Sequence, residues 1–212
     1  HMALAQTDED AQRLRQAGVA STKVLGNLKY DARIREDQWK QGQEFRRRLE
    51  HPVIMLASSR EGEELAWVQA LKRAKDRGVK VIGLVVPRHP QRFDEVAQVL
   101  HEQGIQTTRR SAWTGNPSEW SLPPDHEVIL GDSLGEMALY YGLSDLALLG
   151  GSYAQLGGQN LIEACACQCP VIVGPHTFNF QQATEWALAA GAAQRASDLD
   201  VALDCAFEWL AD

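Results

Sequence analysis

From Pro52 onward, short apolar runs alternate with amphipathic stretches of helical length, and this alternation limits the fold more than any other feature. Val53-Ile54-Met55-Leu56-Ala57, Val128-Ile129-Leu130 and Val171-Ile172-Val173 lack the polar residue at every second position that marks a strand with one wet face. Such runs suit strands covered on both sides, as in parallel sheets flanked by helices. Val79–Val86 reads as another strand, with weaker ones near 105–109, 145–149 and Gln194. Helical patterns fill the gaps at about 61–77, 91–103, 134–142, 159–168, 180–190 and 198–211. In the first of these Leu65, Val68, Leu71 and Ala74 share a face, and Gly78 closes the helix. The pattern predicts an α/β fold: a Rossmann-like, doubly wound parallel sheet. Right-handed crossovers bring every strand-to-helix loop to one edge, where such sheets bind ligands.

Ahead of Pro52, Thr7 is placed to cap a helix over about 8–17, with Asp10 as its capping-box acid and Gly18 as its stop. Val24–Asp31 reads as a short strand leading into a connector, and about 33–49 as a polar helix. His1-Met2 resembles a cloning scar, and the residues after it run straight into a domain, so the chain reads as an excised part of a longer protein.

Composition sets the outer bounds. A chain of 212 residues, 44% of them hydrophobic, is long enough for one large α/β core. No run approaches the roughly 18 apolar residues needed to cross a bilayer, so no membrane span is expected. With 21 basic against 28 acidic residues the formal charge is −7, which argues against a surface for nucleic acid or anionic lipid. Cys165, Cys167 and Cys169 alternate without the two-residue gap of zinc clusters, and no His is near them. We read them as small apolar core residues in a reducing cytoplasm, with no metal.

Chemistry concentrates at strand ends. Ser58-Ser59-Arg60-Glu61-Gly62-Glu63-Glu64 reads as a helix start whose acids face the helix dipole. In Val86-Pro87-Arg88-His89-Pro90 the prolines stiffen a loop that presents Arg88, a side chain suited to gripping phosphate in two parallel hydrogen bonds. Gly131-Asp132-Ser133-Leu134-Gly135-Glu136-Met137 offers a close backbone approach at Gly135, with Asp132 or Ser133 as an ordinary helix cap. The most unusual segment runs from Gly150-Gly151-Ser152 through Gly157-Gly158-Gln159-Asn160 to Leu161-Ile162-Glu163. Its glycine pairs either let backbone approach a ligand or make a flexible surface loop. A helix starting near Asn160 would turn free N–H groups toward a phosphate, and Glu163, one turn in, suits the two hydroxyls of a ribose. The spacing is neither the dinucleotide fingerprint nor a P-loop. Further on, Gly174-Pro175-His176-Thr177-Phe178-Asn179-Phe180 sets His176 and Asn179 at another strand end, as ligand contacts or structural residues. No serine sits in a nucleophile elbow.

Taken in register, these segments closely resemble the C-terminal half of the bacterial lipid A Kdo transferases (3-deoxy-D-manno-octulosonic acid transferases). Gly26-Asn27-Leu28-Lys29-Tyr30-Asp31 and Glu61-Gly62-Glu63-Glu64 match as well, so the likeness covers nearly the whole chain. The resemblance implies an inverting glycosyltransferase of the two-Rossmann-domain (GT-B) type. Its donor is CMP-Kdo and its acceptor the lipid A precursor (lipid IVA), at the cytoplasmic face of the inner membrane, in lipopolysaccharide core biosynthesis. It implies no cofactor. The membrane anchor and the catalytic glutamate base belong to the N-terminal half, which is not found here. Residues 1–2 are then a scar, 3–32 the end of the acceptor domain with its linker, and 33–212 the CMP-Kdo-binding domain. Such a chain is expected to bind CMP without turning over.

Carried over by position, Pro87, Arg88, Gly135, Glu136, Met137, Asn160, Leu161, Ile162 and Glu163 match the family's CMP contacts. Lys29 matches a lysine that stabilises the transition state. Gln159 stands where most relatives have His and Leu161 where many have Pro, so position 159 keeps a hydrogen-bonding side chain but cannot become cationic. Two alternatives accompany this reading: a UDP-sugar transferase or epimerase of the same fold, and a nucleotide-binding module without chemistry.

Overall fold

A computed structural model describes residues 2–26, 30 and 33–211 and divides the chain into two compact units, His1–Arg33 and Ile34–Asp212. In the first unit strands β1 (Ala3–Ala5) and β2 (Thr22–Val24) pair in parallel and helix α1 (Asp8–Gln16) connects them. Thr7 caps α1 as its side-chain oxygen accepts the Asp10 N–H at 3.1 Å. The strand expected over 24–31 instead ends at Val24, and Gly26 turns the chain with a φ of +78°. Lys29 lies outside the described residues.

The second unit opens with helix α2 (Glu36–Arg46). The chain then lays down β3 (Val53–Ser59), α3 (Glu63–Asp76), β4 (Ile82–Pro87), α4 (Phe93–Glu102), β5 (Thr107–Arg109) and β6 (Val128–Leu130). It continues through α5 (Met137–Leu143), β7 (Leu146–Leu149), α6 (Ile162–Ala166), β8 (Val171–Val173), α7 (Gln181–Ala189), β9 (Ala193–Arg195) and α8 (Leu199–Ala211). The seven strands stand in the order β5-β6-β4-β3-β7-β8-β9, and every pairing is parallel. The α/β, doubly wound sheet expected from the apolar runs is thus present. The winding reverses between β3 and β7, the position where open parallel sheets form their ligand crevice.

The unbroken apolar runs follow from burial on both faces. Ile54, Leu56, Val85, Leu130, Leu148 and Ile172 pack with Trp67, Val68 and Leu71 of α3, Leu100 of α4 and Leu203 of α8. Val53, Met55 and Ala57, of opposite parity, are equally buried and turn to the other face. Each such side chain withdrawn from water contributes about 1.5–3 kcal/mol. The inward stripe of α3 carries Val68, Leu71 and Ala74 as expected, but Leu65 is 40% exposed, and Glu64 and Trp67 are buried in its stead. Trp67 fits because β4 carries Gly83 beneath it; a Cβ there would stand 2.6 Å from the indole.

On the other face, α2 lies directly against the backbone of α5. A Cβ on Gly42 would lie 2.1 Å from the Leu139 carbonyl oxygen and 2.8 Å from the Leu143 nitrogen. A Cβ on Gly142 would lie 2.3 Å from the Trp39 carbonyl oxygen. Neither obstacle is a flexible side chain, so a methyl group at either glycine has to lift one helix off the other. Gly42→Ala should therefore lower unfolding stability by about 3 kcal/mol, at the upper end of overpacking effects. Urea unfolding measures this, and an unchanged midpoint would contradict the close approach.

Candidate functional site

Five strands deliver loops to the carboxyl edge of the sheet, and buried acids hold those loops in place. After β3 the backbone bulges: Ser58 takes a φ of +54°, and the register to β4 shifts between Ala57 and Ser59. Glu63 and Glu64 stand in the first turn of α3, as expected, but both are buried. Glu63 is 5% exposed, and its carboxylate accepts the Gly151 N–H at 2.8 and 2.9 Å and the Arg60 N–H at 2.9 Å. Burial nevertheless raises its pKa above the usual carboxylate range, against the opposing pull of those amides. Glu64, 2% exposed, accepts the Ser59 hydroxyl at 2.6 Å and both nitrogens of the Arg92 fork at 2.6 and 3.2 Å.

These anchors make the glycine-rich loop a packed structure, which removes the flexible-loop alternative. A Cβ on Gly150 would meet the Ser58 carbonyl oxygen at 2.5 Å. Ser152 is fully buried; its hydroxyl donates to the Leu149 carbonyl and accepts the Gly174 N–H at 2.7 Å. Asn179 is structural: its side chain donates to the Leu156 carbonyl at 2.9 Å and its backbone to Gly157 at 3.0 Å. The His176 N–H likewise donates to the Ser152 carbonyl at 3.0 Å.

Pro87 is the buried last residue of β4 and aims the exposed Arg88 outward from the strand end. The Arg88 backbone N–H bonds the Ser59 carbonyl at 3.1 Å, and its Nε bonds Gln159 Oε1 at 3.2 Å. The β4 loop and the glycine-rich loop therefore meet at this arginine.

The loop after β6 is held differently. Asp132, expected as a helix cap, is buried and accepts Arg109 Nε at 2.6 Å, the Ser111 N–H at 2.8 Å and the Ser111 hydroxyl at 2.6 Å. Burial pushes its carboxyl up, but the Ser111 hydrogen bonds and the Arg109 pair outweigh this and hold it below the usual range. Ser133 does not cap a helix either; it donates to Glu136 and shares a hydrogen bond with Tyr140. Consequently α5 begins at Met137, not near 134. The Glu136 carboxylate is further tied to Arg110 at 2.9 Å, and the Gly135 carbonyl accepts Gln38 at 3.0 Å. Gly135 itself adopts a φ of +72° with open space over its α-carbon. What this turn presents to a ligand is backbone at Gly135–Met137, with the Glu136 side chain already committed.

Helix α6 is short and starts at Ile162, with Leu161 as its capping position. Asn160 Oδ1 accepts the Ile162 N–H at 3.1 Å, so that amide is not the free donor foreseen. The Leu161 side chain is 1% exposed and serves the core, which leaves only its backbone for a ligand. Glu163 differs from every acid above. It is half-buried and raised in pKa by burial, and no hydrogen bond or ion pair reaches its carboxylate among the described residues. A desolvated carboxylate without partners is costly unless something else supplies donors. Of the nearby thiols, Cys167 and Cys169 are buried as expected but Cys165 is exposed, and burial pushes Cys167 up to about 12. Among the described residues no cluster of three His, Cys, Asp or Glu could hold a metal.

Arg88 and Gln159 are thus in contact, Asn160–Glu163 follow Gln159 in the chain into the first turn of α6, and Gly135–Met137 follow β6, the strand that pairs with β4. Sequence reasoning missed Arg60, Gln38 and Arg110, whose roles depend on partners about thirty to a hundred residues away. A hollow of about 340 Å³ between the starts of α3 and α8, lined by Glu61, Tyr153 and Asp198, is separate from this rim. Another of about 270 Å³, lined by Lys72, Lys80 and Ile105, lies toward the amino end of the sheet.

No family model matches the chain. A Bordetella pertussis protein named 3-deoxy-D-manno-octulosonic acid transferase is 50% identical over 212 residues, 99% of this chain and 48% of that protein. A Haemophilus influenzae protein of the same name is 36% identical over 162 residues, 75% of this chain and 36% of that one. The chain spans about half the length, or less, of these curated relatives. The crystal structure of the C-terminal CMP-Kdo binding domain of WaaA from Acinetobacter baumannii superimposes with a TM-score of 0.74 at 32% identity, covering 83% of this chain and 90% of that one. A glycosyltransferase from Rickettsia africae shares the fold at a TM-score of 0.53 and 16% identity, over 97% of this chain and 52% of that one.

The Asp132 anchor has a pH signature. A carboxyl lowered by folding stabilises fully above its ordinary pKa near 3.8 and loses that contribution as pH falls through the lowered value. Wild type should exceed Asp132→Asn in stability by about 1–3 kcal/mol at pH 7, with the gap closing below about pH 4. Thermal melts across the acid range read this difference; a gap independent of pH would contradict it.

Proposed function

The chain belongs to the 3-deoxy-D-manno-octulosonic acid transferase family, and we propose that it is the half of such an enzyme that holds the donor, CMP-Kdo. The whole protein on this reading transfers Kdo, with inversion, to a lipid A precursor at the cytoplasmic face of the inner membrane. Among the described residues no helix is long and apolar enough to cross a membrane. The first unit, His1–Arg33, is then the end of the acceptor-binding domain, and Lys29 a transition-state contact.

The observation that carries the proposal is the unpartnered carboxylate of Glu163, four residues along the chain from the Gln159 that Arg88 contacts. A ribose offers two adjacent hydroxyls, the donors this carboxylate lacks. Arg88 stands at the strand end where an anion meets the loops, and its guanidinium suits the phosphate. In the transfer, the bond from the anomeric carbon to the phosphate oxygen breaks as the acceptor oxygen bonds to the opposite face of that carbon. The phosphate leaves with the electron pair, so negative charge grows on CMP, and a fixed cation stabilises it most at that moment. Backbone groups at Gly135–Met137 read the edge of the cytosine, aided by the open face of Gly135. Pro87 fixes the direction of Arg88, while Asn160, Leu161 and Ile162 shape the backbone that leads to Glu163. We assign none of these residues to deprotonating the acceptor, and alone they are expected to bind donor without transferring it.

Calorimetry with CMP and UMP tests the assignment. Arg88→Ala and Glu163→Ala should each weaken CMP binding by about tenfold, the size of one charge-assisted contact, with no loss of melting temperature and a gain for Glu163→Ala. CMP affinity unaffected in both variants would refute the site. Tighter binding of UMP than of CMP would favour the UDP-sugar alternative.

A further inference from the structure

The arginines of the carboxyl edge fall into two groups. Arg92, Arg109, Arg110 and Arg195 each bond a carboxylate: Glu64, Asp132, Glu136 and Glu185. Among the described residues Arg60 and Arg88 bond none. Arg60 Nη1 meets His89 Nε2 at 3.1 Å, and Arg88 Nε donates to the Gln159 amide oxygen at 3.2 Å, neither partner a carboxylate. The two arginines flank the same residue, because a Cβ built on Gly151 would find Gln159 Nε2 at 3.1 Å and Arg60 Cγ at 3.5 Å. Of the acids that follow Arg60, Glu63 is engaged with backbone amides and Glu64 with Arg92, and the exposed Glu61 bonds neither arginine among the described residues. In a chain with 28 acidic residues against 21 basic, two arginines gathered about one glutamine, neither bonded to an acid among the described residues, are a concentration of positive charge. Such a pair repels itself until anions arrive.

CMP-Kdo brings two anions, and they are adjacent: the phosphate and the sugar carboxylate are attached to the same anomeric carbon. We propose that Arg60 is a further donor-binding residue that grips the sugar carboxylate while Arg88 grips the phosphate, with His89 positioning the Arg60 fork. This rests on the reading of the rim as a CMP-Kdo site. It gives the chain a means of selecting an acidic sugar, since a guanidinium fork matches a carboxylate in two parallel hydrogen bonds and finds no equal partner on a neutral one. It also accounts for Gln159, because cationic charge at this spot comes from Arg60 and position 159 need only link the loops.

The test compares CMP-Kdo with CMP, which lacks the carboxylate, by calorimetry on this chain carrying Arg60→Gln, Arg60→Lys or Arg88→Gln. Arg60→Gln should weaken CMP-Kdo about tenfold and change CMP by less than about twofold; Arg88→Gln should weaken both. Arg60→Lys keeps the charge without the fork and should fall between wild type and Arg60→Gln for CMP-Kdo alone. If substitutions of Arg60 weaken CMP as much as CMP-Kdo, or leave both unchanged, the carboxylate assignment is overturned while the donor site stands. If wild type binds neither ligand, the donor-site reading fails and this assignment with it.

Discussion

A sheet whose strands all run the same way has a single edge where every carboxyl end emerges, and that constraint organises the rest of this molecule. Strands in such a sheet need helices on both faces, because neither face can be left to water. The apolar runs of β3, β6 and β8 meet this demand through α3, α4 and α8 on one side and α5, backed by α2, on the other. Once the faces are covered, loops far apart in sequence have to converge at the edge. Arg88 and Gln159, 71 residues apart, are in contact for this reason.

Loops at an edge lack the ladder that orders strands, and here buried carboxylates take over that task. Removing a carboxylate from water costs several kcal/mol unless its lone pairs are filled. Glu63, Glu64 and Asp132 have theirs filled by backbone amides, hydroxyls and arginine forks, and each joins two loops or a loop to a helix. Against that background Glu163 is informative because it breaks the rule. Among the described residues Glu163 is a desolvated acid without a partner, and it lies a few residues beyond Gln159, about which two arginines are also without acids. Departures from local satisfaction are expected where a site is built for something other than stability.

Much of the architecture was legible from residue pattern alone. Buried strands announced themselves through unbroken apolar runs, and β8 begins and ends where Val171 and Val173 suggest. β1 left no such signal, being three residues of Ala-Leu-Ala with one side chain buried. Helix starts were harder, for a physical reason. Near 134 and 160 the polar residues that resemble caps bond within their own turns, Ser133 to Glu136 and Asn160 to Ile162, and delay the helix by about three residues. The aliphatic spacing points Leu65 inward, but that place goes to Trp67, which Gly83 in the neighbouring strand accommodates. The candidate site was partly legible: glycine and arginine types at strand ends pointed to the edge. The work of Glu63, Arg60 and Arg110 was invisible because each acts through a partner that only the folded sheet brings near.

The central claim is that Arg88, Gly135–Met137 and Asn160–Glu163 receive one nucleotide at a shared rim. Amide chemical shifts followed by NMR as CMP is added to this chain test it most directly. The account predicts saturable shifts concentrated at 88, 135–137 and 160–163, with the amino end of the sheet unmoved. Shifts centred on the hollow between α3 and α8, or spread without focus over the surface, would contradict it.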